Sequence, residues 1–317
     1  MPAPRLSAMN LPCVRDASLA RSTVGEIASA QARVAYRRSG TETDLVPMTP
    51  AAKQLLGGTD AARAVRLLRG IDSAAQATGA VLEGVTLTTT RNGLIASTVL
   101  DAAEHELVAP ARAARRSIRN NPSADEDWAQ STVEDVRSMS DALAFNTGGW
   151  ITLAPGISRT LLRPDAAASA PGQSVRDAVR TVSHEIEHSV TPSAALLRWE
   201  EAIAETLAAW PGRDRSTARE LGVTIKANDR SASGYDDDVH ELRRLLVLAG
   251  INPRIASHEP EARALLQDQP VEEVPARMAQ AIASRLGATS LQQQITSELI
   301  DNFGDRTLVD RLRKLVK

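Results

Sequence analysis

The sequence has one cysteine, two tyrosines and two phenylalanines among 317 residues, and aromatics make up 3% of it. A lone Cys13 forms no internal disulfide framework, which leaves the fold to packing and fits a reducing compartment. No run of about 18 apolar residues occurs, so the pattern excludes a membrane-spanning helix. The formal net charge is −2, so the basic balance of a general nucleic-acid binder is missing. Lysine stands only at Lys53, Lys226, Lys314 and Lys317, and the arginine excess reads as coding composition rather than function. Residues 1–22 contain no continuous apolar segment of the kind a secretory signal needs, and a cytoplasmic protein is expected. No fixed-period repeat is visible, which argues against a solenoid.

What is present favours helix. Hydrophobic residues make up 43% of the chain, and Ala, Leu, Arg and Glu dominate. At about 100–200 residues per domain, the length suggests two domains or one with appendages. Three regions are expected: a mainly helical N-terminal region with a short strand (1–120), a core (121–250) and a helical C-terminal region (251–317). The polar stretch RNNPSADED at 119–127 marks the first boundary.

Helices are expected over 24–38 and 59–79, the latter with Val65, Leu68 and Ile71 near helical spacing, and GTETDLVPMTP (40–50) between them reads as a loop. A strand is expected over 81–90, then helices near 96–118 and 128–145. NTGG turns the chain into a strand over 149–154, followed by a small-residue loop at 163–173. Ser174, with Asp177 three residues on, caps a helix carrying Val175, Ala178, Val179, Val182 and Ile186 as an apolar stripe. Thr191–Pro192 stops that helix, and another runs over about 193–210. From about 236 the chain is mostly helical, broken near Asn252–Pro253, Glu259–Pro260, Gln269–Pro270 and Gly287.

The capped helix contains HEIEH at 184–188. His184 and His188 stand at i and i+4, on one face about 6 Å apart, where both imidazoles can reach one metal ion. Glu185 sits about 100° further round, placed to take the proton of a water on that ion. Zinc brings the pKa of such a water towards ~7, which makes it a nucleophile for a carbonyl. A third ligand is expected from RWEEAIAETLAAW (198–210), whose helix should pack antiparallel to the first. Helical rise favours Glu200 and Glu201 over Glu205, while amphipathicity alone favours Glu200 over Glu201.

HEIEH followed by WEEAIAE resembles the zinc metallopeptidases of the glutamate-zincin type, whose pattern is HExxH and then E-x-x-x-D/E. The resemblance covers about 60 residues. It implies Glu201, just before Ala202, as the third zinc ligand, and Glu205 as an acid supporting a ligating histidine from behind. It also implies that WITLAP (150–155) is the edge strand holding an extended substrate. Twelve residues separate His188 from Glu201, a shorter interval than is usual in that family. Such enzymes need a donor for the oxyanion of the reaction, and Tyr235 and His240 are the candidates downstream.

These readings together give an α+β, mainly helical protein: a zincin-like core whose small sheet packs on the HExxH helix, flanked by helical regions. The expected function is a zinc-dependent peptidase acting on a peptide or protein, with no nucleic-acid or membrane partner. The competing expectation is a non-catalytic helical interaction or regulatory protein with a degenerate or structural zinc site. The presence of Glu185 favours catalysis, because a structural site needs no base beside its first ligand.

Overall fold

The computed structural model describes residues 34–39, 42–45, 50–82, 84–87, 143–147, 149–167, 174–190, 196–226, 229, 236–268 and 270–316. Cys13, the expected 96–118 helix, the 119–127 linker and Tyr235 lie outside the described residues.

Among the described residues the protein is mainly helical, with one small sheet. Five strands, β1 (Val34–Ser39), β2 (Glu42–Leu45), β3 (Gly84–Leu87), β4 (Ala144–Thr147) and β5 (Trp150–Leu153), run in the order β2-β1-β3-β5-β4. β3 and β5 are parallel, and the other pairs are antiparallel. Along β3 and β5 the residues Val85, Leu87, Ile151 and Leu153 are buried on one face at a period of two, and Thr152 on the other face of β5 is buried as well. Gly149, at φ +86°, lets the chain turn tightly from β4 into β5, where Thr147 pairs with Trp150.

Three sequence expectations are corrected here. Residues 34–38, expected to end a helix, are strand. The Ala and Arg content favours helix, but Tyr36 pairs with Leu45 on one side and Val85 on the other. Such pairing is non-local and overrides local propensity. Glu42–Leu45, expected as loop, is the other half of that hairpin, with Ser39 opposite Glu42. Ala144 and Phe145, expected at a helix end, lie in β4, where Phe145 pairs with Thr152.

Two packing units follow. The first joins the sheet to α1 (Pro50–Gln76), α2 (Pro155–Leu162), α4 (Val175–Val190) and α6 (Arg213–Leu221), around Leu68, Ile71, Ile151, Leu153, Val182 and Ile186. A four-residue α3 (Pro164–Ala167) stands within the segment expected to be loop. α1 approaches α6 so closely that a Cβ on Gly70 would lie 2.3 Å from the Glu220 carbonyl oxygen, so only glycine fits there.

The second unit contains α5 (Leu197–Ala208), α7 (Asp236–Ala249), α8 (Glu259–Leu266), α9 (Val274–Arg285), α10 (Gln292–Asn302) and α11 (Leu308–Leu315). Its core includes Trp199, Ile203, Leu207, Leu245, Met278, Ile282 and Leu299, and Trp199 stacks on Phe303 at 3.9 Å. The packing therefore joins residues on both sides of position 250. Pro260, expected at a break, stands in the first turn of α8, where its missing N–H costs the helix nothing. Among the described residues, no helix is long and apolar enough to cross a membrane.

Candidate metal centre

α4 starts where the sequence signals it. The Asp177 N–H donates to Ser174 Oγ at 3.1 Å, and the Ser174 N–H points back to Asp177 Oδ2 at 3.5 Å. One face of α4 carries Val179, Val182 and Ile186 into the first core. The opposite face carries Arg180, His184 and His188, spaced four residues apart, towards α5. Contacts between the helices run in reverse order: Arg180 to Glu205, His184 to Glu205 and Glu201, His188 to Glu201 and Glu200. α4 and α5 are therefore antiparallel, as the sequence leads one to expect.

His184, His188 and Glu201 meet at one point and are 8%, 6% and 3% exposed. The two Nε2 atoms are 3.0 Å apart, and Glu201 Oε2 lies 3.3 Å and 3.5 Å from them. A tetrahedral ion with bonds of about 2.0–2.1 Å needs ligand atoms roughly 3.3–3.4 Å apart. The triangle thus has the size that one such ion requires. Glu201 Oε2 is buried and makes no hydrogen bond, so this donor atom is left aimed at its two neighbours. This buried group can hold a metal ion.

Behind each imidazole stands a carboxylate. His184 Nδ1 lies 3.1 Å from Glu205 Oε2, and His188 Nδ1 lies 3.0 Å from Glu200 Oε1. Glu200, the alternative third ligand by amphipathicity, thus faces the far side of His188, and Glu201 is the carboxylate that joins the two imidazoles in the group able to hold an ion. The other oxygen of Glu205 is 2.6 Å from Arg180 Nη2.

Charge follows from this geometry. Burial pulls the His184 imidazole down, but Glu201, Glu205 and the charge of Glu185 outweigh it and hold His184 well above its ordinary pKa. His188 is likewise opposed by burial and lifted by Glu200 and Glu201, to about 9. Burial pushes Glu201 and Glu205 up, yet both end below the usual carboxylate range. For Glu201 the two imidazoles outweigh burial, and for Glu205 it is His184 and Arg180. The carboxylates around the two imidazoles thus raise the affinity of both for protons.

Glu185 is buried beside His184, and its backbone carbonyl accepts a hydrogen bond from Asn146 Nδ2 of β4. Asn146 Nδ2 also reaches Ser189 Oγ at 2.6 Å, so β4 is fastened to the helix bearing the motif. This corrects the expected edge strand. WITL (150–153) forms the interior strand β5, paired on both sides, and β2 and β4 are the sheet's two edges among the described residues. His240 lies exposed on α7, and Tyr235 is outside the described residues.

Sequence reasoning missed Asn146, Arg180 and Glu187. Arg180 had a legible signal, standing four residues before His184 on the same face. Asn146 had none. Glu187 is fully buried and gripped by Arg263 at 2.7 and 2.8 Å and by Gln267 at 2.9 Å, from a helix 76 residues away.

Comparison with known proteins returns no matching family model, no matching curated protein and no matching solved structure.

Proposed function

We propose that the protein is a zinc-dependent metallopeptidase with a zincin-like core, in which His184, His188 and Glu201 hold the metal. The observation that carries this reading is the triangle of two imidazole nitrogens and one carboxylate oxygen at 3.0–3.5 Å, with a buried glutamate beside its first corner. Two neutral imidazoles and one carboxylate would suit zinc, which could keep a further position for a water in catalytic use. When bound, zinc would lower the pKa of a water and polarise the scissile carbonyl.

The chain's own residues supply the rest. Glu185 takes the proton of the attacking water and hands it to the leaving amine, the work of a general base turned acid. β4, held against the helix by Asn146, offers main-chain groups along which an extended peptide can pair. Tyr235 and His240 remain the candidates for steadying the oxyanion.

A second reading, a purely structural metal site, has the burial of all three ligands in its favour. One experiment separates the two. Zinc-loaded protein is incubated with a peptide library beside its Glu185→Gln variant. The peptidase reading expects cleavage that falls about 10²–10⁴-fold in the variant while zinc is retained. Zinc bound without cleavage, or equal cleavage by both proteins, would overturn it in favour of the structural site or of a contaminant.

A further inference from the structure

Resting on the metal site of that reading, we propose that the metal-holding unit extends beyond its three ligands. Glu200 and Arg180 are positioning residues, Glu200 acting through His188 and Arg180 acting through Glu205 on His184.

An imidazole has two nitrogens, and only one with a free lone pair can ligate. A carboxylate only accepts hydrogen bonds, so a carboxylate on Nδ1 keeps the proton there and leaves the Nε2 lone pair free. Both histidines show this arrangement, with Nδ1 at 3.0–3.1 Å from a glutamate and the Nε2 atoms 3.0 Å apart. Glu200 and Glu201 are consecutive, so their side chains leave α5 about 100° apart. One reaches the front of the His188 ring while the other reaches its back.

Glu205 must hold its orientation to hold His184. Its two oxygens are divided between His184 Nδ1 at 3.1 Å and Arg180 Nη2 at 2.6 Å. Arg180 is one turn before His184 on the same helix, so the Glu205 carboxylate bridges successive turns of α4. The complete unit reads R-x-x-x-H-E-x-x-H on α4 and E-E-x-x-x-E on α5, with both backing carboxylates and the arginine buried or half-buried.

The test measures zinc affinity by competition with a chromophoric chelator, and coordination by the visible spectrum of the cobalt(II)-substituted protein. Glu200→Ala and Arg180→Ala are each expected to weaken zinc about 10–100-fold, as lost outer partners of metal ligands do, and to shift the cobalt bands. The Arg180→Ala loss should vanish in a Glu205→Gln background, because the two act as one unit. Arg263→Ala is the control: it strips Glu187, buried on the same helix, of a half-buried partner without removing a contact to either imidazole. It should lower the urea midpoint yet leave zinc affinity within about threefold.

Unchanged affinity in Glu200→Ala and Arg180→Ala, or an equal loss in Arg263→Ala, would overturn the proposal while leaving the metal site standing. No zinc binding by the unaltered protein would sink the metal site itself. Should the variants fail to fold, histidine ¹⁵N spectra of the unaltered zinc protein decide. Both rings are expected as Nδ1–H tautomers with Nε2 on the metal, and an Nε2–H tautomer at either histidine overturns the proposal.

Discussion

The two packing units differ in what they bury, and the seam between them differs from both. The first unit buries a sheet face against α1, α2 and α4 with residues such as Leu68, Ile151 and Ile186. The second buries helix against helix through Ile203, Leu245 and Ile282. Neither core contains a member of the candidate metal group. His184 and His188 stand on the outer face of α4, from the first unit, and Glu200, Glu201 and Glu205 stand on α5, from the second.

The Glu187–Arg263 pair crosses the same seam from the residue next to His188. Apolar burial gives each half its shape, and charged groups that are costly to bury unpaired are gathered where the halves meet. A metal ion there would join the two units directly.

That contrast makes predictions of decreasing size. Breaking the seam without touching the ligands should cost most: Arg263→Ala leaves Glu187 buried without its main partner, and urea unfolding should show a loss of about 3–5 kcal/mol. A loss under 1 kcal/mol would mean the seam is wetter than its burial indicates.

Truncation inside each core comes next. Ile186→Ala and Ile282→Ala should each cost about 2–5 kcal/mol, and the double variant should be additive within about 0.5 kcal/mol because the two residues belong to separate clusters. Strong coupling would show one core rather than two.

The metal-free seam should also respond to pH. His188 is raised from 6.5 to about 9, so its contribution is fully present below about pH 6.5 and is lost as pH rises through 9. That loss is worth up to roughly 3 kcal/mol. Glu201 and Glu205 are depressed, so their contribution is present above about pH 4.5 and is lost as pH falls through their lowered values. With chelator present, the urea midpoint should therefore fall from pH 6.5 to 9.5, whereas zinc, which displaces the imidazole protons, should flatten that fall. A midpoint rising over this range would contradict the charge arrangement.

The smallest effect belongs to the first unit alone. Ser174→Ala removes the cap of α4 and should cost about 1 kcal/mol in the same assay.

How much of this is legible in the sequence depends on how local the cause is. The α4 helix, its Ser174–Asp177 cap and the HExxH spacing are readable because each is set within a few residues. Glu201 is not readable from amphipathicity, since Glu200, Glu201 and Glu205 are all buried and α5 has no clean polar face. The resemblance implies Glu201, and Glu201 is the carboxylate grouped with the two imidazoles. β1 and β2 escape a local reading because an Ala- and Arg-rich segment becomes strand only when β3 is beside it. The grip of Arg263 on Glu187 is invisible for the same reason, as nothing local ties residues 76 positions apart.

The most direct test of the account is zinc content per chain, measured on protein purified without chelator, for the unaltered sequence and for His188→Ala. The account predicts about one zinc per chain in the first and almost none in the second. Negligible metal in both, with no uptake of added zinc, would contradict it and return the molecule to a helical interaction protein.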